Sequence, residues 1–136
     1  MRIILDSNIW VSFLLGFQRE FVRCVLTNPN MTVYVCPQLL NEIKDVASRP
    51  KIQKRIQSTD LDDMLNLIAI YCQNASIHHD VVSGVRDVKD LYLLSLAETT
   101  GAEYLISGDS DLTDLQKHST THIVTLAEFK HHLLEL

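Results

Sequence analysis

The chain has 136 residues, of which 46% are hydrophobic and 21% charged, and its formal net charge is −5. That length and apolar content suit one domain with a full core, expected to span 1–136, and exclude a disordered or disulfide-stapled chain. Seventeen acids against twelve Lys and Arg argue against a basic nucleic-acid surface, unless several acids hold cations that reverse the local field.

Arg2 to Asp6 reads as a buried strand, a short apolar run that stops at a carboxylate. The run ends too early for the core of a signal peptide, and the uncharged stretch after it, closed by Arg19, is too short to span a bilayer. Asn8 to Leu15 is expected to be helical with Gly16 as its stop, and Glu20 to Leu26 forms a second short amphipathic stretch before the Asn28-Pro29-Asn30 turn. Cys24, Cys36 and Cys72 are odd in number and lack C-x-x-C spacing. Reduced thiols in a cytoplasmic protein are expected, with no membrane association and neither a disulfide framework nor a zinc site.

Thr32 to Cys36 is β-branched and aromatic, the second strand. Pro37 follows at an N1 position, and Gln38–Ser48 carries Leu39, Leu40, Ile43, Val46 and Ala47 at helical spacing until Pro50 breaks it. Lys51–Gln57 makes one or two turns. Thr59 with Asp62 is read as a capping box for a helix over Asp60–Gln73, with Leu61, Met64, Leu65, Ile68 and Cys72 on its apolar face. Ala75–Ile77 is expected to be a short strand followed by a polar loop. Lys89–Thr100 is a helix with Gly101 at C′, and Glu103–Ser107 is a strand ending at Gly108-Asp109. Thr121–Thr125 is the last strand, and Thr125 with Glu128 caps the closing helix. Such alternation predicts a three-layer α/β/α fold around a central, mostly parallel sheet of four to five strands.

The acids fall where such a sheet binds ligands. Asp6 ends the first strand and Asp109 lies just past the strand that ends at Ser107, while Asp90 opens the helix before that strand. Glu42 lies one turn into the helix after the second strand. Ligand crevices in open parallel sheets lie at the carboxyl ends of the strands, near the switch in strand order. Each acid alone has an ordinary reading as a helix cap, a turn former or a solvated helix position. Together, four acids aimed at one edge repel one another unless protonated or neutralised, and Mg²⁺ or Mn²⁺ is the natural partner. Such a site activates water and stabilises charge on a phosphodiester. Asn8 adds an amide, Ser107 a hydroxyl, and Asp111 a further acid two residues after Asp109.

These segments resemble a known family. Leu5-Asp-Ser-Asn-Ile-Trp-Val-Ser-Phe-Leu-Leu15 is similar to the opening of PIN-domain proteins, and Pro37-Gln-Leu-Leu-Asn-Glu-Ile43 to their second acidic segment. Asp87-Val-Lys-Asp90 and the stretch from Thr100 through Gly-Ala-Glu-Tyr-Leu-Ile-Ser-Gly-Asp-Ser-Asp-Leu112 resemble the third and fourth. The likeness extends to Thr125-Leu-Ala-Glu-Phe129, and it is closest to PIN-family toxins of bacterial toxin–antitoxin systems. It implies a central parallel sheet, Mg²⁺ or Mn²⁺, endonucleolytic cleavage of single-stranded RNA, a homodimer and, for toxins, a cognate antitoxin. It also implies Asp6, Glu42, Asp90 and Asp109 as metal ligands, supported by Asn8, Ser107 and Asp111. The family's third segment often carries Asp-Pro with a run of acids; here it reads Asp87-Val-Lys-Asp90-Leu91, which leaves the part of Asp87 open.

Arg49, Lys51, Lys54 and Arg55 form the densest basic segment, readable as a phosphate-contacting patch or as a solvated helix face. His78-His79 and His131-His132 are adjacent pairs ill-suited to a shared metal and read as surface residues, and Trp10 reads as core or interface. Two other functions compete with a ribonuclease acting as a toxin or in RNA processing. One is a PIN-like binding module without turnover, which has no need of clustered charge. The other is an aspartyl-nucleophile phosphatase, which wants a second Asp two residues after the first, where this chain has Asn8.

Overall fold

The computed structural model describes residues 1–77 and 90–135. Arg2–Leu5 forms β1, in which Ile3, Ile4 and Leu5 are at most 1% exposed. An uninterrupted apolar run is what a central strand covered on both faces requires. Ser7–Leu14 forms α1 and Arg19–Thr27 α2, separated by Gly16 at a φ of 97°. Trp10 is fully buried, edge-on to Phe13 with ring centroids 6.4 Å apart, so its place is the core.

Thr32–Val35 forms β2, and Pro37–Ala47 forms α3 with Pro37 in its first turn. Leu39, Ile43 and Ala47 of α3 repeat every four residues and are fully buried, which fixes the helix's inward stripe. Pro50 does end that helix, but it also opens α4, Pro50–Gln53.

Asp60–Tyr71 forms α5, with Asp60, Asp62 and Asp63 in its first turn, where the helix dipole favours acids. The expected Thr59 capping box is absent: the Thr59 side chain makes no cap bond, and Asp60 Oδ2 instead accepts the Gln57 N–H at 2.8 Å. The third strand, β3, is Gln73–Asn74, earlier than the expected Ala75–Ile77. The helix gives way to the strand within two residues, and the exposed Gln73 and Asn74 pair with Tyr34 and Val35 through backbone alone. An edge strand held this way leaves no apolar alternation to read.

Leu91–Thr100 forms α6, with Asp90 at its N-cap and Gly101 at its end; the expected start at Lys89 lies outside the described residues. Tyr104–Ile106 forms β4, Ser110–Thr113 α7, Lys117–His118 β5, Thr121–Val124 β6 and Leu126–Glu135 α8. The α8 capping box is present: Glu128 N–H donates to Thr125 Oγ1 at 3.1 Å and Glu128 Oε1 accepts the Thr125 N–H at 3.2 Å. The short α7 and the β5–β6 hairpin were not among the predicted elements; their bonds are mainly local turns around Gln116 and Ser119, both at positive φ.

The sheet order is β3-β2-β1-β4-β6-β5, parallel except for β5 against β6. The fold is therefore the expected α/β arrangement, with helices around a mostly parallel sheet, but the sheet has six strands among the described residues instead of four to five, the two-residue β5 being the addition. The chain runs outward from β1 through β2 to β3, then returns to β4 on the other side of β1. The order reverses between β1 and β4, and the ends of those two strands flank the crevice such a reversal opens. No helix among the described residues is long and apolar enough to cross a membrane.

Gly101 has a φ of 65°, and a Cβ there would lie 3.2 Å from Arg2 Nη1, which itself donates to the Thr100 carbonyl. Gly101→Ala is expected to lose about 1–2 kcal/mol from the left-handed backbone penalty. A lower urea midpoint with an unchanged m-value checks this.

Candidate functional site

Asp6 is the first residue after β1 and only 3% exposed. Its backbone N–H donates to the Ile106 carbonyl at 2.9 Å, continuing the β1–β4 ladder by one bond and fixing where its side chain emerges. The carboxylate is satisfied locally. Oδ1 accepts the Ser7 N–H at 2.6 Å, and Oδ2 accepts the Ser107 hydroxyl at 2.7 Å and a longer contact from Asn8 Nδ2 at 3.4 Å. Asp6 is thus the N-cap of α1, which is the helix-cap reading weighed from sequence.

The β4 end is built to match. Ser107 is fully buried, and its Oγ donates to Asp6 while accepting the Asp109 N–H at 3.0 Å. Asn8 Oδ1 accepts the Gly108 N–H at 3.2 Å, so its amide ties the first turn of α1 to the loop after β4. Asp109 is half-buried at the N-cap of α7, where its Oδ1 accepts the Asp111 N–H at 2.9 Å. The Asp111 backbone therefore sets the Asp109 rotamer.

Burial pushes the Asp6 carboxyl above the usual carboxylate range; the Ser107 and Ser7 hydrogen bonds pull it down, and the charges of Glu42 and Asp109 push it up again. Asp6, Glu42 and Asp109 therefore share one electrostatic neighbourhood. Asp90 is 7% exposed at the head of α6. Asp87 lies outside the described residues.

Glu42 is half-buried on α3, and its Oε2 accepts the hydroxyl of Tyr92, two residues after Asp90 in the first turn of α6. Burial, the bond to Glu42 and the charges of Glu42 and Asp6 push the Tyr92 phenol well above its usual range, so it remains a donor. Sequence reasoning missed Tyr92, because an aromatic at the second position of an apolar helix looks like core. Cys36 is buried at the N-cap of α3, where burial raises its thiol and Glu42 adds to the rise. Burial also pushes Cys72 up to about 12, and no cysteine is bonded to another.

These carboxylates are crowded electrically without closing on one point. Among the described residues, no three His, Cys, Asp or Glu side chains converge closely enough to hold an ion. The basic segment is separate from them: Arg49, Lys51, Lys54 and Arg55 are exposed on and around α4, with Arg49 3.5 Å from Asp45. His132 stacks at 5.7 Å from the Tyr104 ring, and His78-His79 lies outside the described residues.

The raised Asp6 carboxyl fixes the sign of a pH effect. A carboxyl whose folded pKa lies above its unfolded value of 3.8 contributes stability that is present below that value and lost as pH rises through the folded pKa. The contribution of Asp6 to metal-free stability should therefore fall as pH rises above about 4 and through its folded pKa. Asp6→Asn keeps a good N-cap and should flatten that loss, giving a higher metal-free Tm at pH 7. Thermal unfolding of both proteins across pH 4–7 is the measurement; an unchanged pH slope would mean that Asp6 carries no such penalty.

A family model described as the PIN domain matches residues 2–111. No curated protein matches the chain significantly in sequence. Among solved structures, VapBC2 from Rickettsia felis, determined bound to a DNA fragment from its promoter, aligns with a TM-score of 0.59 at 13% identity, covering 90% of this chain and 97% of that one. The PIN domain of human SMG5 aligns with a TM-score of 0.56 at 11% identity, covering 98% of this chain and 99% of that one. The PIN domain of T. brucei RRP44 aligns with a TM-score of 0.52 at 14% identity, over 98% of this chain and 81% of that one. These likenesses show a shared fold, and the family model spans most of the chain, including the segments that carry Asp6, Glu42, Asp90 and Asp109: the chain belongs to the PIN-domain family.

Proposed function

We propose that the chain is a divalent-metal-dependent endoribonuclease that hydrolyses single-stranded RNA, working in the cytoplasm as the homodimeric toxin of a toxin–antitoxin pair. The observation that carries this reading is Asp6: a buried carboxylate at the switch between β1 and β4, held in one rotamer and pressed by the charges of Glu42 and Asp109. A carboxylate so placed is relieved by a cation. The toxin half of the reading rests on the resemblance of the acidic segments and on a fold shared with VapBC2. A small adjacent reading frame encoding a DNA-binding antitoxin would support it, and an isolated gene would favour RNA processing.

The donor set fits Mg²⁺ or Mn²⁺ in its chemistry, because every candidate ligand is a hard oxygen. That no three ligands converge among the described residues is compatible with Mg²⁺ in particular, which usually keeps several waters and takes only one or two carboxylates beside a substrate phosphate. Asp6 and Asp109 would hold the principal ion, with Glu42 and Asp90 bordering it. A bound ion of this kind supplies Lewis-acid stabilisation of the phosphodiester and lowers the pKa of water. The chain's own part is positioning. Ser107 fixes Asp6 and, through the Asp109 N–H, the turn that aims Asp109. Asn8, in the first turn of α1, contacts Asp6 and accepts the Gly108 N–H, which ties the start of α1 to the loop that leads to Asp109. The other carboxylate oxygen of Glu42 would help hold an ion or orient the attacking water.

A binding module without turnover is favoured by one observation, the absence of three convergent ligands among the described residues. The aspartyl phosphatase fares worse. Asn8 is committed at both ends of its amide, and Asp6 accepts bonds at both oxygens while nearly fully buried, a poor posture for in-line attack.

Purified protein should cleave single-stranded RNA with Mg²⁺ or Mn²⁺ and stop on addition of EDTA. Asp6→Asn and Asp109→Asn should remain folded and lose activity by on the order of 10²–10³-fold, as removal of one electrostatic element of a site does. Full cleavage by folded Asp6→Asn protein would falsify the assignment, whereas RNA binding without cleavage in wild type would support the binding module.

An acidic nuclease still needs positive charge to hold a polyanion beyond its metal site. The basic segment begins just beyond the helix that carries Glu42, since α3 ends at Ala47 and Arg49 stands at the head of α4. Lys51→Ala with Lys54→Ala should weaken RNA binding and lower the salt slope by roughly 0.7 per lost phosphate contact. RNA affinity measured against salt tests this, and identical slopes would leave the segment a solvated face.

A further inference from the structure

Glu42 and Asp90 come from segments far apart in sequence, and the structure joins those segments through a residue of neither acidic motif. Tyr92 stands in the first turn of α6, directly after the Asp90 cap, and its hydroxyl donates to Glu42 Oε2 on α3, fifty positions away. Glu42 is only half-buried and has three rotatable side-chain bonds, so nothing in α3 itself would hold its carboxylate to one direction. The ring of Tyr92 is half-buried and packs against the core, which makes it a fixed post from which to hold a flexible acid.

We propose that Tyr92 is the positioning residue for Glu42, holding one carboxylate oxygen so that the other is presented toward Asp6 and Asp109. The proposal rests on the metal-site reading above. An ionised carboxylate has about four acceptor positions, and one hydroxyl occupies only one of them. The bond thus costs Glu42 little of its ligand capacity while removing the rotamers in which it would swing away. Outer partners of metal-ligating side chains orient them in this way, and their loss typically weakens metal affinity or activity by about 10–100-fold. The first turn of α6 then serves the site twice. It supplies the carboxylate of Asp90, and two residues later the hydroxyl that sets the carboxylate of Glu42.

Tyr92→Phe removes the hydroxyl and keeps the ring, and metal-free thermal unfolding shows whether the fold survives. Tyr92→His, which keeps a ring and a donor, is the second variant. The readout is Mn²⁺ affinity, from the loss of the free-ion electron paramagnetic resonance signal on titration, with no RNA present. Tyr92→Phe is expected to weaken Mn²⁺ binding by about 10-fold or more, and Tyr92→His to recover part of that loss. In a Glu42→Gln background, Tyr92→Phe should have no further effect, because its influence passes through the Glu42 carboxylate. Undiminished Mn²⁺ affinity in both Tyr92 variants overturns the proposal while leaving the metal site standing. Tighter binding by Tyr92→Phe also overturns it, since the hydroxyl would then compete with the ion. Wild type that binds no Mn²⁺ overturns the metal reading and the proposal with it.

Discussion

Ser107 donating to Asp6 is the contact on which the arrangement of the site depends. It joins the ends of the two strands between which the sheet reverses its order, and it does so inside the protein, with Ser107 fully buried and Asp6 nearly so. A buried carboxylate is costly unless its charge is met by donors. Here the donors are the hydroxyl of Ser107 just after β4, a backbone N–H from α1 and the Asn8 amide. Each of them also fixes a segment carrying another polar group. Satisfying one carboxylate therefore joins the start of α1 to the loop after β4, and the same Ser107 oxygen passes that order on to Asp109.

Acids at strand ends are ambiguous because capping a helix and binding a ligand call for the same residue. Asp6 and Asp109 cap α1 and α7 through their side chains, while Asp90 stands at the N-cap of α6 without such a bond. The positive end of each helix dipole favours a carboxylate there. It lowers the cost of collecting like charges at one edge of the sheet, and Asp6 shows that the cost is reduced without being removed.

How much could be read in advance follows from where each signal lies. The strands β1, β2, β4 and β6 were legible because buried strands need continuous or alternating apolar residues, and α3 and α6 because their stripes and their Pro37 and Gly101 boundaries are strong local signals. The closing capping box was legible from Thr125 and Glu128 alone. The box at Thr59 was not realised because Thr59 takes a helical backbone, φ −90° and ψ −12°, where a capping residue is extended. β3 and β5 are two-residue edge strands specified by backbone pairing to a neighbour, which leaves no side-chain period. The four acids could be nominated from their places in the chain, and the structure shows Asp6 under the electrostatic influence of Glu42 and Asp109. Tyr92 could not be nominated, since its partner is fifty residues away and no local pattern marks a tyrosine as a hydrogen-bond donor to an acid.

The two-residue edges have a consequence for how copies of this chain can meet. An edge strand is a row of free N–H and C=O groups, and a long flat one invites a neighbouring molecule to add a strand of its own. At β3 and β5 that row is only two residues long, and Lys117 on β5 is exposed with a charge that discourages close approach. A sheet continued from one molecule into the next would find almost nothing to hold. Edge-to-edge stacking, the usual route from a parallel sheet to an insoluble fibre, is thereby blunted at both borders of this one.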